Sequence, residues 1–277
     1  MTEADDKRGL MSNARLDCLP ALQDALGKTN CGESLLGLYL ARFTREAMAN
    51  VDWLRSACSG FKKPADWPRS ERGIRDLPVI DDTECLLIGN HQVMHRWQTP
   101  LMQRLARSIC KTGGDILEIG FGLGIAAEEI QRHSVRSHTI IEAHPEVFRK
   151  LTTWAEAQED RDVRPLHGAW RESIAGLGPF DGILFDPYPL SEDEYRKYWL
   201  DDITFAAHFF PFASELLRPG GRFTYYSNEI DSLSREHQRQ LLRYFRSLEI
   251  SVVEGLEPPN GCQYWWASTM AVVTAMK

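Results

Sequence analysis

The residues best suited to chemistry stand where apolar runs end. Ile116-Leu117-Glu118-Ile119 stops at Gly120-Phe121-Gly122-Leu123-Gly124, and helical spacing begins at Ile125. Glycine lacks a Cβ, so this loop can turn sharply and let a ligand approach the backbone closely. The helix that follows offers free N–H groups at its start. A second run, Thr139-Ile140-Ile141, ends in Glu142, about 20 residues beyond the loop. A carboxylate at that place can accept hydrogen bonds from a ribose diol. A third run, Gly182-Ile183-Leu184-Phe185, ends in Asp186. Ligands of open parallel sheets bind outside the carboxyl ends of the strands. Asp186 therefore stands where a cofactor and a second reactant would meet. Nicotinamide dinucleotides and S-adenosylmethionine both fit this much of the pattern.

These residues need a scaffold, and the hydrophobic rhythm supplies one. The strands ending at Ile119, Glu142 and Asp186 alternate with helical segments at about 125–130, 145–157 and 205–217, the last with a break expected at Pro211. Arg218-Pro219-Gly220-Gly221 closes that helix, and 222–226 is the next strand. Segments 249–254 and 268–274 are expected to pair at one edge. Strands and helices alternating at this length predict an α/β fold, a parallel sheet with helices on both faces. Upstream, residues 1–15 are polar and mixed in charge, which predicts a disordered tail. Apolar residues from Leu35 to Leu54 recur at spacings near three and four. They predict a helical extension within 16–85, docked on the catalytic domain or pairing two copies of the chain as a homodimer. Pro64, Pro68 and Pro78 among charges read as a linker at about 60–85. The main domain is expected over 86–277.

Composition narrows the function. With 277 residues, 43% hydrophobic and 26% charged, the chain is an ordinary globular protein with room for a sizeable core. A net charge of −7 makes it a poor general binder of nucleic-acid phosphates. No apolar run is long enough for a membrane span, and the N-terminus lacks the apolar stretch of a secretory signal. Six cysteines without a CxxC pair suggest reduced thiols in the cytoplasm. His91, His95, His144 and His167 lack metal-ligand spacing, so no metal is expected. The acids at 192–194 after Ser191 read as a solvated helix start. Tyr264-Trp265-Trp266 reads as packing at an edge strand, because no basic groove accompanies it.

Two details separate the cofactors. The loop is GFGLG preceded by Glu118, and Leu-Leu-Arg-Pro-Gly-Gly precedes a late strand. That set resembles class I S-adenosylmethionine-dependent methyltransferases. Longer words resemble the guanidinoacetate N-methyltransferases and the related fungal arginine δ-N-methyltransferases: VMHRWQTPLM at 93–102, LEIGFGLGIAA at 117–127, IIEAHPEVF at 140–148, LHGAW at 166–170, FDGILFDPYPLSEDE at 180–194 and LLRPGGRFTYYSN at 216–228. They occur in family order and cover about 88–277. The resemblance implies a mostly parallel seven-stranded sheet and methylation of a guanidino nitrogen. It implies that Gly120, Phe121, Gly122, Leu123, Gly124 and Ile125 lie along the methionine part of S-adenosylmethionine, with Glu118 supporting the loop. Glu142 would hold the ribose beside Ala143 and His144. Gly168, Ala169 and Trp170 would flank the adenine, and Met94 and Trp97 would cover the cofactor. Asp186 would bind the guanidino group and help remove its proton, with Tyr188 nearby and the run from Ser191 to Glu194 near the pocket rim.

The chain departs from the guanidinoacetate pattern at one position. Where that family has Glu in its RWETP word, this chain has Gln98. Ser227, Asn228 and Glu229 follow the late strand, and Glu229 is expected to restore the missing carboxylate from the opposite wall. The expected acceptor is a small guanidino compound, with free L-arginine ahead of guanidinoacetate. Bacterial natural-product pathways contain enzymes of this kind. Arginine in a protein and a noncatalytic cofactor-binding scaffold are the rival readings.

Overall fold

The computed structural model describes residues 67–70, 72–82, 84–200, 202 and 204–277. The expected tail at 1–15, the helical extension up to residue 60 and its role in pairing two copies lie outside the described residues.

The centre is strand β4 (Gly114–Ile119), whose last four residues are buried. Side chains alternate across a strand, so Ile116 and Leu117 enter opposite cores. One core collects Leu101, Leu105, Ile116, Ile140, Leu184 and Val272. The other collects Leu117, Ile141, Ile183, Phe185, Phe209 and Phe223. An apolar strand with both faces covered is the mark of a parallel sheet under helices. β5 (Val135–Glu142) and β7 (Phe180–Phe185) flank β4 in parallel. β6 (Val163–His167) lies outside β5, and β8 (Leu217–Tyr225) outside β7. β9 (Ser247–Val253) and β10 (Met270–Met276) complete the order β6-β5-β4-β7-β8-β10-β9, with β10 antiparallel to both neighbours. The expected edge pair is thus present, slightly displaced in its bounds.

Helix α1 (Thr99–Ile109) lays Leu101, Met102, Leu105, Ala106 and Ile109 against the first core. α2 (Ile125–Gln131) follows the glycine loop, and α3 (Pro145–Glu156) follows β5. α4 (Trp170–Ser173) is one short turn after β6. The helix expected from Phe205 is divided. A 3-10 segment spans Phe205–Phe209, and α6 (Phe210–Leu216) begins with Pro211 in its first turn. Proline lacks an N–H, and the first turn needs none. β8 starts at Leu217, so the Arg-Pro-Gly-Gly turn is drawn into the strand. Between β7 and this region, α5 (Glu192–Glu194) runs into a π-helical turn, Tyr195–Leu200. α7 (Arg235–Leu242) lies between β8 and β9.

The linker expected at 60–85 needs correction over its last part. Residues Val79–Asp81 form β1, which pairs antiparallel with β2 (Cys85–Ile88), and β2 pairs with β3 (His91–His95). Before it, the Ile74 N–H donates to the Leu190 carbonyl at 3.1 Å. His144 Nε2 donates to the Leu77 carbonyl at 2.9 Å. Prolines and charges at the surface hid a strap that spans from the loop after β7 to the loop after β5.

Candidate active site

The glycine loop is shaped by its neighbours. Gly120 has φ +90°, and a Cβ there would lie 2.7 Å from the Asp186 carbonyl oxygen. Gly122 has φ +54°, and a Cβ there would lie 2.6 Å from Met94 Sδ. The Leu123 N–H donates to that sulfur at 3.3 Å. The loop is therefore pressed between the chain leaving β7 and the end of β3: a Cβ at Gly120 would meet backbone, and one at Gly122 would have to displace the Met94 side chain.

Glu142, at the end of β5, ties this loop to the next one. Its Oε2 accepts from the Phe121 N–H at 2.9 Å and its Oε1 from the His144 N–H at 2.7 Å. A carboxylate has about four acceptor sites, so lone pairs remain for a diol on the cavity side. Burial raises the pKa of Glu142, against the lowering effect of the backbone donors. Glu118 is 1% exposed. Its Oε2 accepts from His138 Nε2 at 2.9 Å, while Gln131 Nε2 donates to the other ring nitrogen at 2.9 Å. Its Oε1 is buried without a hydrogen-bond partner. The Glu118 carboxylate is thus anchored on His138 and faces the cavity, where it was expected to brace the loop. An orphaned buried oxygen beside a glycine loop suits a ligand that brings a donor or a positive charge.

Asp186 leaves β7 directly beneath Gly120. Its backbone N–H donates to the Ile119 carbonyl at 3.0 Å, and its carboxylate makes no hydrogen bond among the described residues. Burial pushes its pKa up to about 8, and the negative Glu118 pushes the same way. The loop continues through Tyr188, whose hydroxyl is 3.4 Å from His91 Nδ1 and whose ring stacks near Trp67. Gln98 approaches from the other side and is buried. Its Oε1 accepts from the His95 N–H at 2.9 Å and from the Tyr264 hydroxyl at 2.9 Å. Tyr264 in turn accepts from His95 Nδ1 at 2.7 Å. This network consumes the Gln98 oxygen and leaves its NH2 group for the cavity.

One cavity brings together Met94, Gln98, Glu118, Gly120, Phe121, Gly122, Glu142, Ala143, His144, Gly168, Ala169, Trp170, Asp186, Tyr188 and Asn228. Six expected site residues stand elsewhere. Trp97 stacks beside Tyr264 at 6.1 Å, outside the lining. Leu123 lends its backbone N–H to Met94 while its side chain packs on the core. Gly124 sits at φ +74° as the N-cap of α2, and Ile125 is buried in the core. Ser227 Oγ donates to the Ala271 carbonyl at 2.5 Å. Glu229 is fully buried behind the site. Its Oε1 accepts from the Ser234 N–H at 3.2 Å and from His237 Nδ1 at 3.1 Å, and His237 Nε2 accepts from Tyr225 at 2.7 Å. It does not supply the second carboxylate of the cavity.

The reading of the sequence also missed residues. Tyr264, Tyr226, Trp199, Phe205 and Arg171 line the cavity, and so does Glu194, which the resemblance placed near the pocket rim. Tyr264 belongs to the loop between β9 and β10 and turns inward rather than packing at an edge strand. Glu194 carried a usable signal. Ser191 Oγ accepts from the Glu194 N–H at 3.2 Å, and Glu194 Oε2 accepts from the Leu190 N–H at 2.9 Å. This reciprocal start of a helix turns an acid back toward the preceding loop. Among the described residues, the lining therefore holds four carboxylates, Glu118, Glu142, Asp186 and Glu194, against the single guanidinium of Arg171. Such a cavity suits cationic ligands.

A seven-stranded sheet with one reversed strand, a glycine loop after its central strand and an acid ending the next define a class I methyltransferase fold. A likeness in fold to the spermidine synthase of Thermotoga maritima agrees, with a TM-score of 0.51 at 12% identity, over 76% of this chain and 72% of that one. The family model of guanidinoacetate N-methyltransferase matches residues 78–277, and the chain belongs to that family. Curated relatives carry the name Protein arginine N-methyltransferase 2. That of Kluyveromyces lactis is 31% identical over 163 residues, 55% of this chain and 37% of the relative. That of Aspergillus oryzae is 32% identical over 118 residues, 40% of this chain and 28% of the relative. The chain thus spans about a third of the length of these relatives.

Proposed function

We propose that this chain transfers a methyl group from S-adenosylmethionine to a guanidino nitrogen of a small molecule, with free L-arginine as the leading acceptor. One observation carries the reading. The Asp186 carboxylate sits beside the glycine loop, without a hydrogen-bond partner among the described residues, in a cavity rich in acids. S-adenosylmethionine, when bound, supplies a methyl group already activated on a sulfonium. The residues that would hold it are Glu142 at the ribose, the Gly120–Gly122 backbone along the methionine part and Trp170 near the adenine. Met94 would close the site from above.

The protein's part is to make a poor nucleophile attack. A guanidinium is planar, and its N–H groups form a fork that one carboxylate matches with two hydrogen bonds. Holding two nitrogens concentrates positive charge on them and returns lone-pair character to the third. Methyl transfer to a guanidinium must release one proton. A carboxylate with its pKa raised toward neutrality is a better receiver for that proton than an ordinary one. Asp186 thus orients the acceptor and takes the proton. Gln98 in place of the family's Glu leaves this task to a single carboxylate at that end, and it argues against guanidinoacetate itself.

Protein arginine is the second reading, favoured by the names of the curated relatives. The test is direct. Protein incubated with methyl-labelled S-adenosylmethionine and arginine, guanidinoacetate, agmatine, homoarginine or arginine peptides should yield a singly charged arginine product one methyl heavier. Methylation of peptides alone would transfer the assignment to proteins. No methylated guanidine from any acceptor would leave the cofactor-binding scaffold as the reading to pursue.

A further inference from the structure

We propose that the acceptor carries a primary ammonium group in addition to its guanidinium, and that Glu194 holds it; the proposal rests on the guanidino reading of the site above. Three acids begin α5, and they do different things. Glu192 pairs outward with Arg196 at 2.6 Å. Asp193 is exposed. Glu194 is folded back on the Leu190 N–H and lines the cavity. Only one of its oxygens is used there, and no cation among the described residues pairs with it. A half-buried carboxylate with a free oxygen on a cavity wall is a receptor for a donor with positive charge.

The loop from Asp186 to Glu194 is one continuous wall. Asp186, Tyr188, Leu190 and Glu194 all line the cavity. If Asp186 takes the planar cation, Glu194 on the same wall is the anion left for a second one. The segment from Asp186 to Glu194 itself contains no Arg or Lys. Arg171, the one Arg or Lys of the lining among the described residues, is stacked 4.2 Å over Trp170 and 5.3 Å from Tyr198. An acceptor carboxylate beside Glu194 would meet that acid's repulsion, and Arg171 is already committed to the Trp170 ring. The wall thus selects for amines: free arginine and agmatine carry one, whereas guanidinoacetate and arginine within a peptide do not.

The experiment reads binding and turnover separately. Protein loaded with S-adenosylhomocysteine is titrated calorimetrically with agmatine, L-arginine, butylguanidine and Nα-acetylarginine. Agmatine should bind at least about tenfold more tightly than butylguanidine, and arginine more tightly than its acetylated form, as expected for one charge-assisted contact. Agmatine ahead of arginine would mean that the arginine carboxylate is merely tolerated. Glu194→Gln keeps an acceptor for the Leu190 N–H and should collapse the preference for amines. Asp186→Asn should weaken all four ligands and leave the preference standing. Equal affinities in the wild type, or an undiminished preference in Glu194→Gln, would overturn the assignment of Glu194. Selective binding without methyl transfer to any guanidine would retain Glu194 and remove the transferase reading. Methyl transfer without selectivity would do the reverse.

Discussion

At the scale of single residues, the site depends on what burial does to carboxylates. Asp186 has a pKa of about 8 because burial and the charge of Glu118 both oppose its ionisation. A guanidinium is held best by the ionised form. The acceptor's kcat/KM should therefore rise with pH up to about 8 and flatten above, and Asp186→Asn should abolish the rise. A flat wild-type profile between pH 6 and 9 would remove Asp186 from acceptor binding. The same substitution keeps the shape of the side chain and loses its charge and basicity. Turnover should fall about 100-fold or more, the scale for a positioned base, while cofactor affinity measured by calorimetry changes little. Glu142 makes the complementary case. Both its oxygens hold backbone N–H groups of the loops that frame the cavity. Glu142→Ala should weaken S-adenosylmethionine by about 1–3 kcal/mol. Because two loops also lose an anchor, the loss should appear as a higher KM for the donor more than as a lower turnover at saturation.

At the scale of elements, a segment is legible in the sequence where its local signals agree. The strand–loop–helix unit from Gly114 to Gln131 was legible because its apolar run, glycines and helical spacing agree with one another. The strand Val163–His167 was not, because Pro165 and its charges break the apolar pattern. An edge strand tolerates both. Past the end of β8 the chain still alternates. Tyr226 and Asn228 line the cavity, while Ser227 and Glu229 lie outside it. Asn228 has φ +58°, and the Glu229 carbonyl accepts from the Ala271 N–H at 2.7 Å. Glu229 therefore serves the start of α7, through Ser234 and His237, where its position beside the family word suggested a clamp on the acceptor. Glu229→Ala should remove the acceptor of the buried His237 ring N–H and of the half-buried Ser234 N–H, and cost about 1–3 kcal/mol of stability in denaturant unfolding. The acceptor's KM should stay near its wild-type value. A large rise in KM with unchanged stability would return Glu229 to the site.

At the scale of the whole molecule, the chain gives up stability in its empty state to gather acids around one cavity. The alternation of strands with helices and the glycine loop could be read from the pattern, but this gathering could not. Gln98, Asp186 and Tyr264 meet only after the strap, the loop beyond β7 and the loop between β9 and β10 have closed on one another. The consequence can be tested on folding itself. The folded-state pKa of Asp186 is raised far above the unfolded value of about 3.9. Its protonated form is favoured by the fold, so that contribution is fully present at low pH and is lost as pH rises through about 8. Glu118 is raised by burial in the same direction. The ligand-free protein should therefore melt at a lower temperature at pH 9 than at pH 7. Asp186→Asn, uncharged throughout, should lose much of that difference and melt above the wild type at the higher pH. Each kcal/mol recovered should raise the midpoint by about 2–4 °C for a domain of this size. A cationic ligand reverses the balance, because it stabilises the ionised carboxylate. Saturating arginine with S-adenosylhomocysteine should raise the wild-type midpoint more at pH 9 than at pH 7, and more than it raises that of Asp186→Asn. Parallel pH dependence in wild type and variant, with and without ligand, would show that the Asp186 carboxylate titrates as an ordinary surface acid.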